Sequence, residues 1–482
     1  MHGFLYWSAY NNIVETFHMD AAPGRVMNGD ATACGNALAM ASRDAKATPE
    51  LFLAAVRQFL STADARTCTV GCADPSYQEY GLGFEARRFE DALYVTRSCG
   101  DERLQPGMRI VAVGRNTVPF LLKDTAQEIF WGRGTDREDW DLALRMFSDI
   151  DVFPGDGSVQ RLDLRRFPLG PAALSPVAGP AEVTSAPATP CAEPCEVESD
   201  TALLTLHRLD DATGLNAVLA EGRELLARCT HLILDLRRCE GEADPTSYLQ
   251  LLPYLVDADT PACDLFPEQR LFTIYSKANA ERLLAPLLAA RTRLAGTADE
   301  PAATTEKTAP ETGSAANLAL LDGLIADIRA KEAQVLEAKR AVRGLQQRRA
   351  ASEVAEVAPS PFAADELVTK APHAPERVAI LLDSTTGIGA ERLAEAVMGQ
   401  RAVSLVGRAT PGALDYANYL RIDYPDILAS FTYPISRTQT SREGRGYART
   451  GLPLDVRVPF KPEECTRDTI LAAALEMLPA KS

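Results

Sequence analysis

The stretch LLDSTTGIGAERLAEAV, residues 381–397, decides the fold of this protein. An apolar run leads into a turn of small residues and then into a helix start, which predicts a buried strand, a turn and a helix. Many enzymes hold a nucleophile on a strand–turn–helix unit of this kind. At the tip of the turn stands Ile388, whose aliphatic side chain has no lone pair to attack a carbonyl.

Length and composition describe an ordinary globular chain. Its 482 residues leave room for two or three domains, with 46% hydrophobic and 24% charged residues. The net charge of −16 is spread along the sequence and argues against nucleic acid or an anionic membrane surface as a partner. The opening residues 1–17 lack a basic start, and no apolar run reaches 18 residues. We therefore expect a cytoplasmic protein without a membrane span.

The ten cysteines lie at scattered positions and lack both a disulfide framework and the spacing of a zinc site. Reduced thiols are the simpler interpretation, and we expect neither a metal nor a cofactor.

Composition divides the chain into four parts. Residues 1–75 carry helical patterns, and residues 76–168 show short alternating apolar runs typical of a small β-rich domain. Residues 169–199 are dense in Pro, Ala and Ser and are predicted to be a linker. Residues 200–482 hold four short apolar runs between helical patterns, which predicts an α/β core whose sheet is covered on both faces. Those runs are 202–209, 231–238, 377–383 and 402–407.

An insertion interrupts this core at about 296–376. A polar stretch leads into a long predicted helix, 315–349, and residues 350–376 again look loose. The helix follows a heptad through Leu318, Leu321, Ile325, Ile328, Val335 and Val342. Such a helix is either an arm folded onto its own domain or an arm that forms a dimer.

The sequence GLGF, formed by Gly81, Leu82, Gly83 and Phe84, is followed by LQPGMRIVAVG at 104–114. Together the two stretches resemble a PDZ-like domain. The resemblance implies a loop whose backbone N–H groups converge on the terminal carboxylate of a peptide, and a following strand edge that accepts the peptide as an added strand. A packing or regulatory module without peptide binding is the alternative.

Four blocks in the core resemble the C-terminal processing (tail-specific) serine peptidases, especially the branch related to interphotoreceptor retinoid-binding protein and the tricorn core. They are LILDLRRCEGEADPTSYLQLLPYL at 232–255, ILLDSTTGIGAE at 380–391, VGRATPGALDYANY at 406–419 and GLPLDVRV at 451–458. The resemblance covers most of the chain. It implies a ClpP/crotonase-like α/β core with an inserted long helix, preceded by the helical region and the PDZ-like β-rich domain.

The catalytic groups that the resemblance implies are missing. The serine position holds Ile388, the lysine position Ala413 and the histidine position Arg66, whose guanidinium cannot accept a proton. Of the oxyanion-loop positions, Gly241 and Gly389 remain. Ordinary family catalysis is therefore not expected, because loss of the nucleophile alone costs on the order of a millionfold in comparable enzymes.

Other reactive side chains are weaker candidates. In the resemblance, Cys239 occupies the asparagine position of the oxyanion loop. It is interpreted either as a thiol nucleophile or as a small buried apolar residue. Ser384 and Thr385 precede the turn and are better suited to satisfying backbone groups. The five histidines are dispersed, and His207 and His231 lie at core strands, where structural histidines are common.

Three functions remain open from the sequence. The leading hypothesis is a non-catalytic homologue that binds peptide or protein C-terminal tails and regulates, or pairs with, an active relative. The second is an active serine-type or thiol endopeptidase with displaced catalytic residues. The third is an architectural subunit in which the long helix 315–349 and the acidic surface drive assembly, for example into a homo-oligomer.

Overall fold

The computed structural model describes residues 2–23, 33–44, 46–62, 67–73, 77, 80–124, 137–138, 140–145, 147–155, 157–168, 192–198, 200–239, 243–298 and 311–478. Within them the α-helices are α1 His2–Met19, α2 Ala33–Arg43, α3 Pro49–Thr62, α4 Val118–Asp124, α5 Trp140–Leu144, α6 Ala212–Glu221, α7 Arg223–Arg228, α8 Ala262–Leu265, α9 Lys277–Ala298, α10 Glu311–Arg340, α11 Leu345–Ala350, α12 Ile388–Val397, α13 Gln439–Arg442 and α14 Thr469–Met477. None of the helices in these ranges is long and apolar enough to cross a membrane.

The strands of these described ranges form three large sheets and two short pairs. Their bounds are β1 Thr69–Cys72, β2 Tyr80–Gly81, β3 Phe84–Phe89, β4 Ala92–Ser98, β5 Arg109–Val113, β6 Asn116–Thr117, β7 Asp149–Phe153, β8 Gln160–Asp163, β9 Phe167–Pro168, β10 Ala192–Glu198, β11 Thr201–Leu206, β12 His231–Asp235, β13 Thr260–Pro261, β14 Gln269–Ile274, β15 Glu353–Ala358, β16 Leu367–Val368, β17 Arg377–Leu382, β18 Val403–Gly407, β19 Tyr416–Tyr424, β20 Ala429–Thr438 and β21 Val456–Arg457.

The central sheet has the order β10-β11-β12-β17-β18-β21, and β11 to β21 run parallel. Its strands bury side chains on both faces. On β12, Leu232 and Leu234 point into one apolar cluster and Ile233 into another, because successive side chains of a strand face opposite sides. The predicted α/β class is confirmed, and the four apolar runs coincide with β11, β12, β17 and β18.

The edge strand β10 corrects the linker prediction. Ala192–Glu198 pairs antiparallel with β11, although these residues lie within the predicted linker 169–199. The sequence does not predict this strand because it contains Pro194. Proline lacks the N–H that a residue of a central strand donates, and it is tolerated only in an edge strand such as β10.

A second sheet packs against the N-terminal helices. Its order is β1-β20-β14-β15, with β19 beside β20, and all pairs are antiparallel. The helices α1 and α3 and the strand β20 share one buried apolar cluster that includes Phe17, Phe59 and Phe431. The described part of residues 1–75 therefore contains the helices α1, α2 and α3, and also the strand β1, which the helical pattern did not predict.

The insertion folds onto its own chain. Ala280 and Leu284 of α9 pack with Ile325, Ile328 and Val335 of α10, the seam that the heptad predicted. This packing agrees with the interpretation of an arm folded onto its own domain.

Two features of the insertion differ from the predictions. The predicted helix 315–349 ends at Arg340, and α11 begins after Gly344, whose backbone is extended (φ −80°, ψ 148°). Glycine favours such a break because it loses more conformational freedom in a helix than other residues do. The predicted loose segment 350–376 contains β15, which pairs with β14 along its length. Its small, alternating side chains give an edge strand only a weak sequence signal.

The third sheet, β3-β4-β5-β7-β8 with β6 beside β5, is antiparallel and has its own apolar cluster. It spans residues 84–163, within the part predicted to be β-rich. The PDZ-like character of this part stays a prediction.

Candidate functional site

The candidate site is built on the turn between β17 and α12. Thr386 stabilises the turn because its Oγ1 accepts the N–H of Asp383 at 3.1 Å. Gly387 is the N-cap of α12, and Ile388 is the first helical residue. The strand, turn and helix are therefore formed as the sequence predicted.

The side chain at the tip of the turn belongs to the core. Ile388 is only 7% exposed and lies in the same apolar cluster as Cys239, Ala243 and Ala413. Two segments contact the start of α12. Gly387 donates its N–H to the carbonyl of Cys239 at 2.8 Å, and Ala413 donates its N–H to the carboxylate of Glu391. Ile388 and Ala413, the positions at which the resemblance implies a serine and a lysine, thus belong to one apolar cluster, and their catalytic assignment stays a prediction.

Gly389 is retained for a steric reason. A Cβ atom at this position would lie 2.9 Å from the nitrogen of Ala243, too close for any larger residue without a shift of the backbone. The glycine lets the loop after β12 pack directly on α12. Two other predicted positions, Arg66 and Gly241, lie outside the described residues, and their roles stay predictions.

Glu391 is a buried residue whose carboxylate accepts hydrogen bonds from two backbone N–H groups. It is fully buried, and its carboxylate accepts the N–H groups of Gly412 at 2.6 Å and Ala413 at 2.8 Å. Burial raises the pKa of Glu391 to about 7, while hydrogen bonds from Thr410, Gly412 and Ala413 oppose the rise. Each carboxylate oxygen thus accepts one backbone N–H of the loop 412–413, and these two hydrogen bonds hold the loop against α12.

Sequence reasoning missed a buried cation beside this loop. Arg137 is 1% exposed, and its Nε donates to the carbonyl of Thr410 at 3.1 Å while a terminal nitrogen donates to Ala448 at 2.8 Å. A second terminal nitrogen also donates to the carbonyl of Thr410. No local pattern marks Arg137, because its partners lie in distant parts of the sequence.

A second buried carboxylate organises the neighbouring loop. Asp415 accepts the N–H groups of Tyr447 at 2.7 Å and Ala448 at 2.8 Å. Burial raises the pKa of Asp415, and these hydrogen bonds oppose the rise. A Cβ at Gly446 would lie 2.2 Å from a carboxylate oxygen of Asp415, so a larger residue there would displace this carboxylate from its hydrogen bonds.

The weaker candidates lie in or beside the turn and the core strands. The hydroxyl of Thr385 donates to Asp383 at 2.6 Å and accepts the N–H of Arg238 at 3.2 Å, as expected for a residue that satisfies backbone groups. Cys239 is buried. His231 lies at the start of β12, the opposite end from the turn, and its Nδ1 is 3.8 Å from Asp200.

The glycine loop before β3 is buried. Gly81, Leu82, Gly83 and Phe84 are all covered, and Leu82 and Phe84 belong to the apolar cluster of the third sheet. Gly83 has φ +73°, and a Cβ on it would lie 2.5 Å from the ring of Phe167. The peptide-binding role of these four residues stays a prediction.

The edge strand β3 reaches the turn of the core. The guanidinium of Arg87 on β3 lies 3.8 Å from a carboxylate oxygen of Asp383, with side chains 26% and 12% exposed. The neighbouring Arg88 instead holds Glu138, which stands just before α5. Within the described ranges, no group of three or more histidine, cysteine or acidic residues is arranged to hold a metal ion.

The fold defines a class. The chain has a C-terminal processing peptidase-like fold. Among solved structures, a mutant of CPAF is similar at 13% identity and a TM-score of 0.55, over 100% of this chain and 99% of that one. Mature CPAF complexed with lactacystin matches at 12% identity and a TM-score of 0.53, over 98% and 97%.

Other comparisons add little. The photosystem II D1 C-terminal processing protease has 12% identity and a TM-score of 0.35, over 96% of this chain and 93% of that one, too low a score to carry an argument. No protein-family model matches the sequence, and no curated protein matches it. The likeness to CPAF shows the fold alone.

Proposed function

We propose that this protein is a non-catalytic relative of the processing peptidases that binds peptide or protein C-terminal tails. The observation that carries the proposal is the place of Ile388. At the helix position that would expose a nucleophile, its side chain is 7% exposed and shares an apolar cluster with Ala413. An alkyl group packed in a core cannot form a covalent intermediate.

The polar groups near Ile388 do not replace the missing chemistry. The carboxylate of Glu391 is engaged by two backbone N–H groups, so both of its oxygens already serve the fold. Arg137 stays protonated over the working pH range and cannot act as a general base. The hydrogen bonds of Glu391 and Arg137 therefore stabilise the fold and do not supply a general base.

The binding function rests on the edge of the third sheet. Among the described strands, β3 pairs only with β4, so its other edge is the one on which an added peptide strand would pair. The ion pair between Arg87 and Asp383 keeps this edge beside the turn of the core. A tail bound to β3 would therefore lie beside the turn between β17 and α12.

The test separates binding from cleavage. The purified protein is incubated with a peptide library, and new termini are sought by mass spectrometry. Binding of a labelled peptide with a free C-terminus is measured by fluorescence anisotropy, with a peptide scrambled in its last four residues as the control. We expect sequence-dependent binding, no new termini, and no mass adduct with lactacystin, the compound with which CPAF has been solved.

Time-dependent cleavage that is lost in a Cys239→Ala or Ser384→Ala variant would replace this proposal with that of an active endopeptidase. The regulatory part has a separate test, in which an active processing peptidase is assayed with and without this protein. We expect a change in its cleavage rate, and an unchanged rate would limit the function to tail binding.

A further inference from the structure

Two arginines share one buried carboxylate on the second sheet. One oxygen of Glu353, on β15, accepts a hydrogen bond from Nη2 of Arg437, and the other accepts one from Nε of Arg442 at 3.3 Å. The side chain of Glu353 is 7% exposed, whereas those of Arg437 and Arg442 are 30% and 49% exposed. The two guanidinium groups therefore lie side by side, and a single negative charge is hydrogen-bonded to two positive ones.

An aromatic ring fixes the orientation of this pair. Phe272 of β14 stands opposite Arg437 in the register of the sheet, and the guanidinium carbon of Arg442 lies 4.3 Å from the centroid of the Phe272 ring. Stacking of this kind holds a guanidinium by its face and leaves the N–H groups at its rim available. Arg442 is thus held in place by its Nε and by one face, and both contacts are made within the protein.

Several donors of the pair are not used by the fold. In the described part of the chain, the terminal nitrogens of Arg442 have no hydrogen-bond partner, and Nε of Arg437 is buried without one. A buried donor without an acceptor destabilises a protein, so its presence in a folded chain calls for an explanation. An anion beside the two guanidinium groups would supply acceptors and would balance the second positive charge.

The charge of the surrounding segment is opposite to that of the whole protein. Residues 437–449 contain four arginines and one acidic residue, Glu443, in a chain with a net charge of −16. Glu443 forms an ion pair with Arg445. The positive charge of Arg442 is therefore not cancelled by its own loop, and a mobile anion is attracted to this part of an otherwise acidic protein.

We infer that Arg437 and Arg442 form a binding site for a phosphate group. A guanidinium donates to phosphate oxygens in the same paired geometry that it uses for a carboxylate, and the several oxygens of a phosphate accept from two guanidinium groups at once. The phosphate is either free or carried by a phosphorylated side chain. The site lies on the second sheet, so the inference is independent of tail binding at β3.

The experiment measures the binding of inorganic phosphate by isothermal titration calorimetry at pH 7.5, with sodium chloride added to keep the ionic strength constant. The proteins are the wild type, Arg442→Gln, Arg442→Lys and Arg445→Gln, and thermal unfolding without phosphate shows that each is folded. Arg442→Gln and Arg445→Gln remove the same charge three residues apart, so a specific site distinguishes them. Arg442→Lys keeps the charge and loses the planar fork. A phosphoserine peptide and its unphosphorylated copy are titrated in parallel.

We expect saturable binding by the wild type and by Arg445→Gln, and an affinity about tenfold or more lower in Arg442→Gln, as the loss of hydrogen bonds between charged groups allows. The affinity of Arg442→Lys should lie between these values. Binding of the phosphoserine peptide but not of its copy would identify a phosphorylated side chain as the source, and binding of inorganic phosphate alone would identify the free anion. Failure of the wild type to bind either ligand, or equal affinities in Arg442→Gln and Arg445→Gln, would overturn the inference.

Discussion

The carboxylate of Glu391 accepts the backbone N–H of Ala413 at 2.8 Å, which holds the loop after β18 against the helix that begins at Ile388. The contact uses only the backbone of Ala413, so it does not depend on the side chain there. Glu391 thereby holds residues 412–413 against the start of α12 through backbone groups alone.

Glu391 should make stability depend on pH. Burial raises its pKa from 4.5 to about 7, so the folded protein binds a proton more tightly than the unfolded chain. The stability that this group contributes is present below about pH 4.5 and is lost as the pH rises towards 7, because the unfolded state then holds fewer protons. A shift of this size corresponds to roughly 3 kcal/mol.

The measurement is the difference in free energy of unfolding between the wild type and Glu391→Gln from pH 4 to 8. Subtraction removes the contributions of Glu395 and Asp415, whose pKa values burial also raises. We expect the advantage of the wild type to shrink between pH 4.5 and 7. Parallel curves would show that Glu391 does not titrate in this window.

Ile388→Ser should destabilise the protein without creating activity. Removing a buried alkyl group leaves a cavity and places a hydroxyl in an apolar cluster, at a cost of about 3–5 kcal/mol. No peptidase activity should appear, because the lysine and histidine positions that the resemblance implies hold Ala413 and Arg66. Urea denaturation and a peptide-cleavage assay test both parts, with Ile388→Val as a control that costs about 1 kcal/mol. Cleavage by the serine variant would mean that a base is present after all.

Arg137→Met should loosen the loops on which the site is built. The variant leaves the carbonyls of Thr410 and Ala448 without their buried donor, and each unsatisfied group costs about 1–3 kcal/mol. Hydrogen exchange should speed up at residues 410–413 and 447–451. Arg161→Gln serves as the comparison, because Arg161 pairs with Asp151 at the surface and its loss should change little. Unchanged exchange in Arg137→Met would show that these bonds do not hold the loops.

Cys239 should resist alkylation in the native protein. Its side chain is 1% exposed, whereas Cys99 and Cys195 are exposed, and a thiol must be both accessible and ionised to react. Brief treatment with iodoacetamide followed by peptide mapping should label Cys195 and Cys99 before Cys239, with Cys99 slowed because burial raises the pKa of its thiol. Labelling in denaturant provides the reference for full reaction. Preferential labelling of Cys239 would revive the hypothesis of a thiol nucleophile.

Local patterns predicted the strands and helices where one residue period dominates. The apolar runs of β11, β12, β17 and β18 were readable because burial on both faces leaves few polar residues in them. The strands β10 and β15 were not, since edge strands carry Pro, Glu and Ala and bury little. The heptad pattern does not predict the break between α10 and α11. It describes which residues face the buried seam, and it carries no information on where a helix ends.

The sequence alone determined which side chains occupy the site: Ile388 and Ala413 exclude a nucleophile and an amine whatever the fold around them. Only the tertiary structure decided that these positions meet in one apolar cluster and that Arg137 closes the neighbouring loop. The reason is physical. Side-chain chemistry is a property of the residue itself, whereas Arg137 and Thr410 are 273 positions apart, and a contact of that separation leaves no periodicity in the chain.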